Sequence, residues 1–423
     1  MFLLIDVHRY MGNSLKLILI IFITSLFITT VVVYITKLNS NQNLIGLHNK
    51  IKNSSNANTK VFLSTYPNLV IDTTWEAHKK KIQKDGRTLD RSRNLITTSE
   101  GQSYSMLRAV WMNDKQIFDT VWKWTKNNLQ KREGDSLLAW KWGQNKEGVW
   151  DVLVDEGGKN SASDADLDVA LALIFAYNRW NNPLYLEEAN KLLNDIWKHE
   201  VIIINDQPYL TAGNWAKEEK SPTINLSYLS PAHFEIFSKY NSQNKWKELK
   251  DTTYIILNLA SQKSFSDKEG VFLPSDWISI DRETNSIKPS SNSNQTLNFS
   301  DDAIRVPFRV ALDYLWFKDT RAKEYLLKLN FLNTEWETKK KIYATYNKFG
   351  ENTVNYESKS LYGATLPYFI ITNPKSAKEI YLNKLAPLYN PDTEEFDNLG
   401  YYDENWVWFG IAYYNKKLIN LAE

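Results

Sequence analysis

The chain contains no cysteine, and only five histidines and four methionines, in 423 residues. Without cysteine there are no disulfides and no thiolate metal sites. His8, His48, His78, His199 and His233 are scattered, with no pair at ligand spacing, which argues against a metal site and implies no metal or organic cofactor. A surplus of one charge sign is missing too. The 51 basic and 49 acidic residues leave a formal net charge of +2, with the basic residues dispersed, so nothing points to nucleic acid as a partner. Alternating strand patterns are scarce, Val201 to Ile204 being the main one. What is abundant is aromatic surface, 16 Trp and 23 Tyr, more than a core of this size needs.

One long apolar run is present. Leu17 to Thr36 is an uncharged run of 20 residues bracketed by Lys16 and Lys37, about the length a helix needs to cross a bilayer. A cleaved signal peptide has a shorter apolar region followed by a small-x-small site, and Val31 to Lys37 offers none, so a retained signal anchor is expected. The flanking charges do not decide its orientation: Arg9 and Lys16 precede it, while Lys37, Lys50 and Lys52 follow. The expected organisation is a short cytoplasmic N-terminus over 1–16, a transmembrane helix over 17–36, a flexible Asn/Ser/Lys-rich linker over 37–60 and one large domain over 61–423.

The segment Asn160 to Trp180 organises that domain. Leu167, Ala170, Leu171, Ile174 and Phe175 recur at helical spacing, and the opposite side, Ala165, Val169, Ala172 and Ala176, is apolar as well. The spacing predicts a helix surrounded by protein, with Ser163 as its N-cap. The next helical pattern, with Tyr185, Ala189, Leu192, Leu193 and Ile196 on one side and Glu187, Glu188 and Lys191 on the other, is amphipathic. About twelve such patterns follow residue 61: 70–84, 100–113, 114–130, 164–180, 183–198, 230–242, 244–262, 303–318, 320–333, 357–371, 374–386 and 403–420. Inner and outer helices alternating about six times would make an all-α (α/α)6 barrel; two separate helical bundles are the alternative, although no linker-like break falls between residues 65 and 420. Asn182-Pro183, Ser230-Pro231 and Asn373-Pro374 each place a cap residue before a first-turn proline.

Acids stand at several helix starts. Asp164, Asp166 and Asp168 open the central helix; they do not form a calcium loop, because Val169 and Phe175 occupy the positions that need Gly and Glu. Ser99 and Gln102 have capping-box spacing, leaving Glu100 in the first turn. Asp301 and Asp302 precede another helix, close to Arg305. Each reads equally well as an ordinary helix-start acid or local ion pair. Long connections at Gly134–Lys159 and Ser261–Phe299 carry Trp140, Trp142, Trp150 and Trp277, and loops of that length are usually functional.

Taken together these blocks resemble glycoside hydrolase family 8, the bacterial endoglucanases. Ser99-Glu100-Gly101-Gln102-Ser103-Tyr104 is similar to its acid-bearing motif, Ala139-Trp140-Lys141-Trp142 to its Ala-Trp-x-Trp segment, and Ala162-Ser163-Asp164-Ala165-Asp166 through Trp180 to its signature, departing at Val169. Asp302-Ala303-Ile304-Arg305-Val306-Pro307 and Tyr401-Tyr402-Asp403-Glu404-Asn405 match further blocks. The resemblance implies an (α/α)6 barrel that hydrolyses a β-1,4-glycan with inversion. Glu100 would be the general acid, Asp302 the general base and Asp164 the carboxylate that holds the sugar. Asp301 stands where relatives often have Tyr; Asp302 is preferred as base for its spacing to Arg305. Trp140, Trp142, Tyr402, Trp277 and Arg305 are the expected substrate contacts, since indole and phenol rings cover sugar faces. Glu100 has to keep its proton near neutrality, so apolar neighbours are expected to outweigh the helix dipole. A polymeric glycan substrate further implies that the catalytic domain of the expected single-pass membrane protein is extracellular. Alternatives are xylan, chitosan or mixed-linkage glucan as substrate, or a non-catalytic glycan-binding subunit of a polysaccharide synthase.

Overall fold

The computed structural model describes residues 67–292 and 294–423. The expected transmembrane helix and linker fall outside the described residues. Among those described, no helix is long and apolar enough to cross a membrane.

Thirteen α-helices are described. The first seven are α1 (Pro67–Lys81), α2 (Ser99–Trp111), α3 (Lys115–Leu129), α4 (Ser163–Trp180), α5 (Pro183–Glu200), α6 (Pro231–Tyr240) and α7 (Trp246–Gln262). They continue with α8 (Val306–Phe317), α9 (Thr320–Lys328), α10 (Asn330–Lys339), α11 (Lys359–Thr372), α12 (Pro374–Ile380) and α13 (Tyr401–Tyr414). Helix α2 packs on α4, α4 on α6, α6 on α8, α8 on α11, α11 on α13, and α13 returns to α2, so six helices close a ring. The others lie outside: α3 on α2, α5 on α4, α7 on α6, α9 on α8, α12 on α11 and α1 on α13, with α10 packed on α12. The alternation read from hydropathy is thus the observed double layer. Helix α4 is buried without a break from Ser163 to Ala176, whereas α5 buries only the stripe Tyr185, Ala189, Leu192, Leu193, Ile196 and Glu200. Helices α11 and α13 pack backbone to backbone: a Cβ on Gly363 would stand 2.2 Å from the Trp406 carbonyl oxygen.

Several local expectations need correction. Ser163 is the first residue of α4 rather than its cap; Ala162 is the cap, and the Ser163 hydroxyl donates to the Thr211 carbonyl at 2.7 Å. The Ser99–Gln102 capping box does not form. Thr98, extended because it belongs to a strand, caps α2 by accepting from the Gly101 amide at 3.0 Å. Gln102 turns into the core, accepting from the Thr88 amide at 2.7 Å and donating to Thr125 at 2.8 Å. The 320–333 pattern is two helices broken at Leu329, and 374–386 winds into a π-turn after Ile380. Of the three cap–proline starts, Asn182 and Asn373 accept from a first-turn amide, while Ser230 makes no cap bond.

Short strands are more numerous than expected. β1 (Thr97–Thr98), β2 (Lys141–Gln144) and β3 (Trp150–Val152) form an antiparallel sheet in that order, with Thr97 opposite Trp142 and Gln144 opposite Trp150. β4 (Val201–Ile204) pairs with β5 (Gln207–Leu210), and β6 (Thr223–Asn225), from the segment before α6, makes another antiparallel sheet with β7 (Trp277–Ile280) and β8 (Ile287–Lys288), which lie inside the long 261–299 connection. All are loop strands; the core is helical.

Candidate active site

All six inner helices point their N-terminal ends at one cleft of about 690 Å³. Glu100 comes from the start of α2, Asp164 from α4, Ser358 and Ser360 from α11, and Tyr401 from α13. Tyr228 comes from the turn before α6, and Asp302 from the turn before α8. Six parallel macrodipoles therefore converge there, and their positive ends favour anionic groups within the first turn. Residues far apart in sequence meet because a closed ring brings all its N-termini to one mouth.

Arg305 sits at the centre of this floor and is 1% exposed. Its Nη1 donates to Glu100 Oε2 at 3.0 Å and to Asp164 Oδ2 at 2.8 Å, while Nη2 donates to Asp302 Oδ1 at 2.5 Å. One guanidinium thus joins three carboxylates, and its plane lies 5.3 Å from the Tyr228 ring. The side chain expected as a substrate contact lines the cleft, yet its terminal nitrogens are committed to the acids. The neighbours of Glu100 are also not the apolar ones expected. Besides Arg305 they are Tyr104, whose hydroxyl donates to Oε2 at 3.1 Å, and Tyr401, whose hydroxyl donates to Oε1.

The three aspartates of α4 have three different partners. Asp164 faces the cleft, and burial pushes it up to about 7 against the pull of Arg305, with the charge of Glu100 adding to the rise. Asp168 lies one turn further in; burial alone would raise it, but Arg309 and His233 hold it near 2. Arg309 grips it through both terminal nitrogens, at 2.5 and 2.8 Å, and His233 Nε2 is 2.9 Å away. Asp166 leaves on the opposite side. Its Oδ1 accepts from the Leu138 amide at 2.9 Å, and it is hydrogen-bonded to Glu200, whose Oε1 accepts from Ser161 at 2.6 Å. Asp166 Oδ2 and Glu200 Oε2 are buried and meet no donor among the described residues, an arrangement that one proton held between the two carboxyls resolves. Burial, aided in Asp166 by the charge of Glu200, raises both groups, Glu200 to about 8. The pair joins α4 and the end of α5 to the segment that carries Trp140.

Asp302 is not on a helix. It stands on the turn before a 3-10 segment, Ala303–Arg305, and the turn is held from outside by Asp276. Asp276 Oδ1 accepts from the Ser300 amide at 3.1 Å and the Ala303 amide at 2.8 Å; Oδ2 accepts from the hydroxyls of Thr296, at 2.8 Å, and Ser300. Burial and the nearby Asp302 push Asp276 up to about 7 even with these donors. Asp301 points to the exposed rim, and its carbonyl accepts from the Tyr402 hydroxyl.

Of the aromatic residues expected on substrate, Trp140 and Tyr402 line the cleft. Trp142 does not; it packs edge-on against Trp124 at 5.2 Å and stacks with Trp150. Trp277 lies behind the lining, edge-to-face with Tyr228 at 6.0 Å. Sequence reasoning gave no role to Tyr228, Tyr401, Tyr104 or Asp276. Tyr228 was findable, since it stands three residues before the Ser230-Pro231 helix start on the same loop; the others owe their importance to partners remote in sequence.

A closed double ring of helices with an open, carboxylate-floored cleft at the N-terminal ends of its inner layer defines the class: a helical-barrel protein with an acid cluster in one mouth. Within that class the chain belongs to glycosyl hydrolases family 8, whose profile it matches over residues 55–369. Its relatives include the endoglucanase of Escherichia coli K12, 33% identical over 247 residues that make up 57% of this chain and 61% of that protein. Endoglucanase A of Acetivibrio thermocellus is 32% identical over 248 residues, 58% of this chain and 46% of that one. The chain thus spans about half the length of these curated relatives. Among solved structures it is similar to the endo-1,4-D-glucanase of Vibrio fischeri ES114, with a TM-score of 0.68, 27% identity, and coverage of 81% of this chain and 94% of that one.

Proposed function

We propose that this chain is an endo-acting glycoside hydrolase that cleaves β-1,4-glucan by a two-carboxylate inverting mechanism. Glu100 protonates the leaving oxygen, Asp302 activates the attacking water and Asp164 holds the sugar at the point of cleavage. The observation that carries the reading is the Arg305 guanidinium, which gathers Glu100 and Asp302, on opposite parts of the chain, onto one floor. Because both touch the same planar group, Glu100 Oε2 and Asp302 Oδ1 lie at most about 8 Å apart, a reach compatible with the roughly 6.5–9.5 Å of an inverting pair. Asp302 is preferred to Asp301 as base because it alone of the two shares that guanidinium. Trp140 and Tyr402 offer ring surface to sugar rings along the cleft. The named relatives are endoglucanases, which favours glucan over xylan, chitosan or mixed-linkage glucan.

The anchor at Leu17–Thr36 belongs to the same reading. It would hold the enzyme at the membrane as a single-pass protein with the barrel outside the cell, where polymeric glycan lies, beside a polysaccharide synthase if one is present. Release of new reducing ends from soluble cellulose derivatives, xylan, chitosan and mixed-linkage glucan by the full chain in detergent tests the activity, with Glu100→Gln and Asp302→Asn as controls. Proton NMR of the first product anomer tests inversion. An inert wild type that still binds glycan would replace the reading with that of a binding subunit.

A further inference from the structure

The two oxygens of Glu100 are not equivalent. Oε2 receives Arg305 Nη1 at 3.0 Å and the Tyr104 hydroxyl at 3.1 Å, two donors for the two lone pairs of a carboxylate oxygen. Among the described residues Oε1 meets one donor, the Tyr401 hydroxyl. A proton carried by Glu100 therefore has room on Oε1 alone, beside Tyr401. Tyr401 is itself firmly placed. Its carbonyl accepts from Asn405 Nδ2 at 2.8 Å, and Asn405 Oδ1 accepts from the buried Arg108 at 3.0 Å. One turn along α13, Glu404 is clamped by His78 at 2.9 Å and Lys81 at 2.8 Å. Burial, with the Glu100 charge added, pushes the Tyr401 hydroxyl well above its ordinary value, so it remains protonated.

We propose that Tyr401 is the positioning residue of the acid step: with Arg305 and Tyr104 filling Oε2, the transferable proton sits on Glu100 Oε1, and Tyr401 holds that oxygen and stabilises the carboxylate that forms when this proton leaves. The inference rests on the reading of Glu100 as the general acid. In the step, the Oε1–H bond breaks as the glycosidic oxygen takes the proton together with the electron pair of the C1–O bond. Water adds to C1 and gives its proton to Asp302, and solvent exchange later restores both carboxyls. As Oε1 gains charge, the Tyr401 bond turns from a neutral into a charge-assisted one, about twice as strong. An interaction stronger in the transition state than in the ground state raises kcat rather than lowering KM. The other groups facing Glu100 are Tyr104 on its own helix, Tyr228 before α6, Tyr402 on α13, Arg305 with Asp164 and Asp302 behind it, and Arg93 at the rim.

The test uses full-length Tyr401→Phe, Tyr104→Phe and Glu100→Gln on two cello-oligosaccharides, one with a sugar leaving group and one with dinitrophenolate, which departs without protonation. For Tyr401→Phe, kcat on the sugar leaving group should fall roughly 10- to 100-fold, the worth of a hydrogen bond to a charged group, with KM unchanged. On the dinitrophenyl substrate the loss should nearly vanish. Tyr104→Phe should lose less, because Arg305 still serves Oε2. Equal losses on both leaving groups, a loss carried by KM, or a larger effect of Tyr104→Phe would overturn the proposal. Should Glu100→Gln itself show no dependence on the leaving group, the acid assignment fails, whatever Tyr401→Phe does.

Discussion

Replacing Gly363 by alanine sets two effects of known size against each other. In an exposed helix interior the change would stabilise by about 1 kcal/mol, because alanine is the better helix former. At this site the new Cβ would lie 2.2 Å from the Trp406 carbonyl oxygen, 2.5 Å from its carbon and 2.7 Å from the Val407 amide nitrogen. These are backbone atoms of α13 that no rotamer change can move, and ordinary contact distances are more than roughly 1 Å longer. Helices α11 and α13 must therefore separate by about that distance, and gaps of 0.5–1 Å already forfeit about a quarter to a half of each dispersion contact along the seam. Trp406, Val407, Phe409 and Ile411 all lie buried on α13, so an overpacking cost of roughly 3 kcal/mol or more should outweigh the propensity gain and leave a net loss of at least about 2 kcal/mol. For a domain of this size that is a fall of at least about 3 °C in midpoint. Activity should suffer more than stability, since Tyr401 and Tyr402 ride on the first turn of α13 and a 1 Å misplacement can cost about 100-fold. The assay is thermal unfolding alongside reducing-end release, with Gly400→Ala as control, because nothing lies within 4 Å of a Cβ there. A Gly363→Ala protein as stable as the wild type, or more so, would show that the ring can open at this seam without cost and would refute the packing argument.

Other perturbations address the buried polar groups. Glu200 and Asp166 have folded-state proton affinities raised above their unfolded ones, so the folded protein binds more protons and its stability falls as pH rises from about 4.5 to about 8; Glu200→Gln can donate to Asp166 without a titrating proton and should flatten that slope in urea midpoints taken across the window. Asp276→Ala leaves the Ser300 and Ala303 amides without their acceptor, at about 1–3 kcal/mol for each buried group, and should lower kcat by loosening Asp302. Asp276→Asn should keep most activity, because the Thr296 and Ser300 hydroxyls can turn to accept from the new amide; comparing the two by unfolding and turnover separates a lost acceptor from a lost charge. Trp140→Ala should raise KM on polymer, whereas Trp142→Ala should mainly lower the unfolding midpoint, because only the former lines the cleft.

The helical layers were readable because burial leaves its mark on composition: α4 is apolar all round, α5 on one stripe, and the double ring follows. The acids were readable as well, since Glu100, Asp164 and Asp302 each stand where a helix begins. Their partners were not. Arg305 and Glu100 are 205 positions apart, and nothing local announces that a guanidinium three residues after Asp302 will reach across the cleft. The tryptophans show the same limit. Trp140 and Trp142 share a motif and stand two apart, which within one strand would put both on the same face; Trp140 lies just before β2, outside its alternation, and its ring lines the cleft while that of Trp142, on β2, packs into the wall. Helix caps were misjudged by one residue wherever a strand or a buried hydrogen bond claimed the nearer serine, as Thr211 claims Ser163.

The unlike mountings of the two carboxyls proposed as acid and base show where this scaffold is adaptable. Glu100 is part of a ring helix and moves only if the barrel moves. Asp302 hangs from Asp276, and Asp276 belongs to the connection between α7 and α8 that also contains β7 and β8. The spacing between Glu100 and Asp302 is therefore set by a cassette that can be lengthened, shortened or exchanged without rebuilding the barrel. A loop graft that keeps Asp276 and the 296–303 turn carries Asp302 with it; one that cuts between them separates Asp302 from its support.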